Sequence, residues 1–299
     1  MKHIDAVYTW VNGSDSDYQK ELKKYGKAAD LNPERFRDDL HTLKYSLRSV
    51  EKYMPWVRHI YIITFRPQVP DWLNTKHSKI SIVHHDEIFD EKKYQPTFNS
   101  DVIERFLHLI PGLSDEFIYI SDDFLLTSNV YPEDFQKNGK IHVLVDDLDY
   151  LFRAPIRKFF PKLPYWMHYE PHIPFLIVKS IWEGLRKEYH PVGVLFRDKR
   201  DECLFFIYRR YLLAHGLAQV GSFRYWLFHK FFLKLKNGLF PLLEARLYFF
   251  LVSWLKPKFL TLNDDLRDCP DNRIISNTKH FLEKEYPEPS EFELQAKPK

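Results

Sequence analysis

Glycine is scarce in this chain: there are nine in 299 residues, alongside three methionines. So little glycine argues against a flexible or low-complexity protein. No Gly-x-Gly-x-x-Gly and no P-loop occur, which argues against a Rossmann dehydrogenase and a P-loop kinase. Cysteine is also scarce. Cys203 and Cys269 are too few for a disulfide framework and fit a reducing compartment. A large charge excess is missing: the formal net charge is +3, so nothing in bulk points to nucleic acid. No run reaches the roughly 18–20 apolar residues of a membrane span. The nearest, Leu239 to Leu255, contains Pro241, Glu244 and Arg246. The N-terminus, Met1-Lys2-His3-Ile4-Asp5, does not read as a signal peptide. These absences lead to the expectation of a cytoplasmic chain, soluble or held peripherally at the inner face of the cell membrane.

The chain has ample material for a core, being 44% hydrophobic and 17% aromatic. Ile4 to Val11, Ile60 to Phe65, Ile80 to His84, Glu116 to Ser121 and Ile141 to Val145 read as buried strands. Ser14 to Tyr25, Leu40 to Tyr53 and Asp101 to Ile110 read as helices between them, the last with Ser100 as its cap. Alternating strands and helices predict an α/β fold with a mostly parallel, doubly wound sheet. Residues 1–150 are expected to form a nucleotide-binding core. Residues 151–283 are expected to be mainly helical, with Lys179 to Tyr189 and Asp201 to His215 as helices, and to return to the core at 259–265. Residues 284–299, rich in Pro, Glu and Lys, read as a flexible tail. Phe223 to Lys258 holds eleven aromatics, seven Lys or Arg and one acid. It reads either as a basic, membrane-contacting segment or as helices packed on the domain.

The sharpest chemical signal is Asp122-Asp123, directly after the apolar run Phe117-Ile118-Tyr119-Ile120. Adjacent carboxylates at the end of a buried strand are costly without a cation, and α/β proteins bind ligands at strand carboxyl ends. A metal ion carrying phosphates suits that place; a helix N-cap pair is the plainer alternative. Four further clusters offer chemistry, with ordinary turns, caps or a structural histidine as the plainer readings. Asp5 with Trp10-Val11-Asn12-Gly13 forms a strand and turn that suits a nucleotide. Arg37-Asp38, and Asn99-Ser100 farther on, suit an anion at a helix start. Arg197, in a charged loop with Asp201, suits a phosphoryl group; Asn263-Asp264 after a short strand is grouped with that loop. His172, held between Pro171 and Pro174, suits a general base. His168 and His172 do not complete a tetrahedral zinc set with the isolated cysteines.

Read in order, these clusters resemble the four conserved regions of the Stealth family of sugar-phosphate transferases. The first is similar to Ile4-Asp5-Ala6-Val7-Tyr8-Thr9-Trp10-Val11-Asn12-Gly13-Ser14-Asp15. The second runs from Arg35 through Tyr45-Ser46-Leu47-Arg48 and Pro96-Thr97-Phe98-Asn99-Ser100 to Asp122-Asp123. The third includes His172-Ile173-Pro174 and Phe196-Arg197 with Asp201; the fourth is Leu260-Thr261-Leu262-Asn263-Asp264. Asn12 stands where many members carry Asp, and 132–165 holds no placeable motif.

The resemblance implies a glycosyltransferase A-like sheet and a phosphotransferase. The implied reaction moves a sugar 1-phosphate from a nucleotide sugar to a hydroxyl of a polysaccharide or oligosaccharide acceptor. A phosphodiester forms and nucleoside monophosphate leaves, as in capsule or cell-surface polysaccharide synthesis. It implies Mg²⁺ or Mn²⁺ on Asp122, Asp123 and Asp264, stabilisation of phosphoryl oxygens by Arg197, and His172 as the base. Substrate-binding contacts fall to Asp5, Trp10, Asn12, Gly13, Arg37, Asp38, Arg48, Asn99, Ser100, Asp201 and Asn263. Two other readings are a metal-dependent glycosyltransferase releasing nucleoside diphosphate and a carbohydrate-binding module without turnover.

Overall fold

A computed structural model describes residues 3–25, 37–143, 173–220, 230–266 and 269–295. The apolar strands assemble the expected α/β layer. β1 (Ile4–Thr9) lies between β2 (Ile60–Thr64) and β4 (Glu116–Ser121), and pairs with both in parallel. β3 (Ile80–His84) extends the sheet in parallel beyond β2, and β8 (Phe175–Val178) closes the other edge antiparallel to β4. The order is β3-β2-β1-β4-β8. β1, β2 and β4 are buried almost throughout, as parallel strands covered on both faces require.

The helices that cover the sheet follow from apolar spacing and caps. α1 (Ser16–Lys24) starts at Asp15, whose carboxylate accepts the N–H groups of Asp17 and Tyr18. α2 (Thr42–Tyr53) buries Leu43, Leu47 and Val50 against the sheet. The short α3 (His85–Ile88) follows β3 directly. α4 (Ser100–Arg105) is capped by Asn99 rather than Ser100, and it is shorter than the sequence predicts: a 3₁₀ turn, Leu107–Leu109, replaces its end.

β4 does not end the chain's use as strand. After Asp122-Asp123 comes β5 (Phe124–Leu126), which belongs to a second sheet, β10-β11-β5. α5 (Pro132–Phe135), β6 (Gln136–Lys137) and β7 (Lys140–Val143) follow, and β7 pairs with β9 (Ala218–Val220) in a third small sheet. α6 (Lys179–Glu188) and α7 (Leu204–Ala214) flank β8. β10 (Lys230–Leu235), α8 (Leu239–Leu255), β11 (Phe259–Asp264) and α9 (Asn272–Glu285) build a second core. The described part of the C-terminal half thus carries short strands beside its helices. Its short apolar runs find strand partners: β8 on the central sheet, β11 between β10 and β5.

Residues 284–295 are packed, which corrects the expected tail. Phe292 is buried, Leu73 bridges Glu293, and the Leu294 N–H donates to the Trp72 carbonyl at 2.8 Å. Arg48 on α2 grips this segment. It donates to both Glu293 oxygens at 2.6 and 2.8 Å and to the Tyr286 carbonyl at 2.7 Å. A polar composition hid one aromatic and one carboxylate with buried partners. Arg48 thus clamps this segment to α2.

Glu293→Ala leaves the Arg48 guanidinium largely buried without its carboxylate. We expect a loss of about 3 kcal/mol in unfolding free energy, measured by denaturant titration. An unchanged midpoint would show that the segment is not an anchor.

Candidate active site

The carboxyl ends of β1 and β4 gather most of the sequence-predicted residues. Strand pleating sorts their neighbours onto two sides. On one side, the Tyr8 hydroxyl meets Ser46 Oγ of α2 at 2.9 Å, and Ser46 in turn donates to the Phe124 carbonyl. On the other, the Tyr119 hydroxyl meets Thr9 Oγ1 at 2.9 Å and donates to Glu104 of α4 at 3.0 Å.

Asp122-Asp123 sits where the chain crosses from the central sheet to the second sheet. The Leu262 N–H donates to the Asp123 carbonyl at 3.0 Å, so β11 is tied to this crossing. Asp38, just before α2, closes in from the Tyr8 side. Burial, and after it the charges of Asp123 and Asp38, push the Asp122 carboxyl well above the usual carboxylate range. Asp264 ends β11. Burial raises its carboxyl too, opposed by the Leu266 N–H and by Arg37, whose Nη2 lies 3.4 Å from Oδ1. Arg37 also reaches Asp39 at 3.3 Å. Acids thus crowd one end of the sheet, with Arg37 at their edge.

The other side of β4 carries a second group. Ligand atoms of Asp101, Glu104 and Cys203 lie within 4.8 Å of one another. Arg197 donates to Ser100 Oγ at 2.6 Å and approaches Asp101 at 3.3 Å. Tyr119 connects the groups, since its hydroxyl also stands 3.5 Å from Ser121 Oγ, beside Asp122. Asp122, Asp123 and Asp264 are not drawn into a comparable three-ligand set. The sequence reading overlooked Glu104 and Cys203. A signal existed: Glu104 lies inside the apolar run Val102-Ile103-Glu104-Arg105-Phe106 and is buried there.

Several predicted donor contacts hold the scaffold instead. Asp5 lies at the opposite end of β1. It is fully buried, accepts from Arg58 Nε at 2.7 Å and from the Ser114 N–H at 2.8 Å, and its carboxyl is held below the usual range. Asn99 caps α4 and donates to the Gly193 carbonyl at 2.7 Å. Asp201 accepts the N–H groups of Val192 at 2.5 Å and Gly193 at 2.9 Å, shaping the loop that presents Arg197. Trp10 is buried behind the first turn. Asn12 there exchanges two 2.9 Å hydrogen bonds with Gln68, and the Gly13 carbonyl accepts from Gln19. Asn263 lies on β11 opposite Lys234 of β10. His172 and His168 fall outside the described residues.

Comparison with known proteins fits this geometry. Residues 2–30 match Stealth protein conserved region 1, and residues 35–144 match conserved region 2. Over residues 2–144 the chain is similar to the Stealth family. Conserved region 2 spans Arg37, Asp38, Ser100, Glu104 and the Asp122-Asp123 crossing. The chain is 43% identical over 153 residues to the capsular polysaccharide phosphotransferase cps12A of Actinobacillus pleuropneumoniae, covering 48% of this chain and 41% of that one. It is 45% identical over 138 residues to the exopolysaccharide phosphotransferase SCO2594 of Streptomyces coelicolor, covering 44% and 22%. The match spans well under half of either relative. Among solved structures, the galactosyltransferase LgtC in complex with donor and acceptor sugar analogs aligns with 94% of this chain and 95% of its own. At 11% identity and a TM-score of 0.45, that likeness is too distant to inform the chemistry.

The crowded carboxylates give a stability prediction. The folded state holds the Asp122 proton more tightly than the unfolded chain does. Stability of the metal-free protein therefore falls as pH climbs from the ordinary carboxylate range through the raised value. Asp122→Asn removes that loss and should raise the melting temperature at pH 7 by about 2–4 °C. A lower melting temperature in scanning calorimetry would contradict the repulsion.

Proposed function

We propose that this chain transfers a sugar 1-phosphate from a nucleotide sugar to a hydroxyl of a glycan acceptor in cell-surface polysaccharide synthesis. The observation that carries this reading is the carboxylate cluster at the ends of β4 and β11, lying within and beside Stealth conserved region 2. The names of the phosphotransferase relatives agree with it. Such a transfer is mainly positioning plus neutralisation of phosphate charge.

The carboxylate chemistry suits a divalent cation, although Asp122, Asp123 and Asp264 do not converge as they stand. Asp122 is destabilised as an anion by burial and by two neighbouring acids, which is the condition a bound Mg²⁺ or Mn²⁺ would relieve. Asp122, with Asp123 and Asp264, would hold it, and the ion would screen the donor diphosphate and polarise the phosphoryl oxygens. The protein's own residues do the rest. The Asn12-Gly13 turn, braced by Gln68, supplies a wall for the nucleotide. Arg37 and Arg197 are the nearby forks for non-bridging oxygens, though Arg197 must exchange its contacts with Ser100 and Asp101 to reach them. His172 is assigned on sequence grounds as acceptor of the proton from the attacking hydroxyl. Bond making at the donor phosphorus joins it to the acceptor oxygen, and the bond to the nucleotide's bridging oxygen breaks.

Asp122→Ala should lower kcat by about 10²–10³ with Arg37 intact. Incubation with a panel of nucleotide sugars and a glycan acceptor should release nucleoside monophosphate. Release of nucleoside diphosphate alone would establish glycosyl transfer instead.

A second surface bears on location. Among the described residues no helix is long and apolar enough to cross a membrane. Yet α8 is apolar on an outward stripe as well as on its packed face. One face packs on α9, with Phe249 stacked on Phe281 at 4.2 Å, while Phe240, Leu243, Leu247, Phe250 and Trp254 face out at alternating spacings of three and four. Trp254 is 73% and Phe240 82% exposed. Exposed Lys236, Arg246 and Lys256 surround this stripe. The contact with the inner membrane face that 223–258 suggests would use it, with lipid as the occupant. Phe250→Glu with Trp254→Glu should abolish co-sedimentation with anionic vesicles. Wild-type binding that ignores anionic lipid, or a dimer in solution that these changes dissolve, would reject that occupant.

A further inference from the structure

A cavity of about 390 Å³ opens at the carboxyl ends of β2 and β3, lined by Phe65, Arg66, His85, Phe89, Pro96 and Thr97 among others. It lies apart from the carboxylate cluster but on the same edge of the sheet. The strand order is β3-β2-β1-β4, so its centre stands two to three strand spacings, or roughly 10–14 Å, from the Asp122 end of β4.

His85 is the unusual member of its wall. Only 8% of it is exposed, yet its Nδ1 finds no hydrogen-bond partner among the described residues. A buried ring nitrogen without a partner is costly and calls for an explanation. Burial, with His84 beside it, holds its pKa down at about 3. The ring is therefore neutral at ordinary pH and carries one donor and one acceptor. Around it the wall is stiff. Arg66 is clamped by Asp86 at 3.0 Å and Glu87 at 2.5 Å, and Gln95 donates to the Asp86 carbonyl at 3.2 Å. Phe65 presents a half-buried ring edge-on to His85, centroids 6.3 Å apart, and stacks on Phe98 from the other side. The loop that begins at Phe65 also carries Gln68, which holds the Asn12 turn at the end of β1. Pocket and turn thus share one continuous wall leading toward β4.

We infer that this cavity takes the nucleobase of the donor, with the imidazole of His85 reading one polar atom of the base edge. This rests on the nucleotide-sugar reading above. A neutral, hydrogen-bonding ring beside aromatic faces suits a planar heterocycle that is itself uncharged. The arginine is neutralised by two carboxylates, so the pocket is a poor seat for phosphate. The distance to Asp122 leaves room for the ribose, with the phosphates at the acidic end.

The test is calorimetric titration of the intact protein with UMP, CMP, GMP and AMP. One or more should bind, and His85→Phe, which keeps the ring but removes its nitrogens, should weaken that binding about tenfold. His85→Gln should recover most of it. If His85→Phe does not fold, Phe65→Leu reads the same pocket through its aromatic wall and should also weaken binding. Binding unchanged in every folded variant overturns the inference. So does a rise in acceptor KM with donor KM constant, which would give the pocket to the acceptor. Binding needs no turnover, so the two proposals fail separately. Monophosphate binding that depends on His85 without phosphotransfer sinks the reaction and keeps the pocket. Phosphotransfer indifferent to His85 does the reverse.

Discussion

Like charges held together at a sheet crossing set the terms for the rest of this structure. The chain leaves the central sheet at Ser121 and enters the second sheet at Phe124, and the two residues between are acids. β11 hydrogen-bonds to the crossing, the charge of Asp38 ahead of α2 acts on Asp122, and Tyr8 hydrogen-bonds Ser46 of α2. Each of these elements contributes its own burial energy, and together they oppose the repulsion that would spread the carboxylates. Strain of this kind is concentrated at functional sites and supported by the surrounding fold.

Much of this layout was legible from the chain. The apolar runs at Ile4, Ile60, Ile80 and Glu116 have no polar alternation, which marks strands covered on both faces, and all four lie in the central sheet. The Asp122-Asp123 pair announced itself because it interrupts such a run without a turn residue. Harder to read were the elements whose partners lie far away in sequence. β11 and β8 are short, and what makes them strands is a neighbour, not a pattern. Residues 284–295 resemble a solvated tail until Arg48 is seen to need Glu293.

Several of the candidate site residues have partners within the scaffold, and one cause recurs. Asp5, Arg48, Asn99 and Asp201 are polar residues in motif-like settings, and a sequence cannot say which end of a strand or which side of a helix they face. Asp5 points into the amino end of the sheet toward Arg58, and Asn99 spends its amide on a cap and on Gly193. Glu104 is the opposite case: a single charge within a helix, it joins Tyr119 to the Cys203 side of the site. Residue type and spacing set which groups are available, whereas direction comes only from packing.

The clamp between α2 and the C-terminal segment has a kinetic meaning. Arg48 and Glu293 are 245 residues apart in sequence, and β1 and β4 already require a closure of over a hundred. Contacts of such high sequence separation form late and slowly. During synthesis, α2 can lay Leu43 and Leu47 on the nascent sheet long before its arginine finds a carboxylate. The helix that carries Asp38 toward the acidic site would then be seated early but fastened last, leaving that wall as a zone of low local stability until the final contact closes.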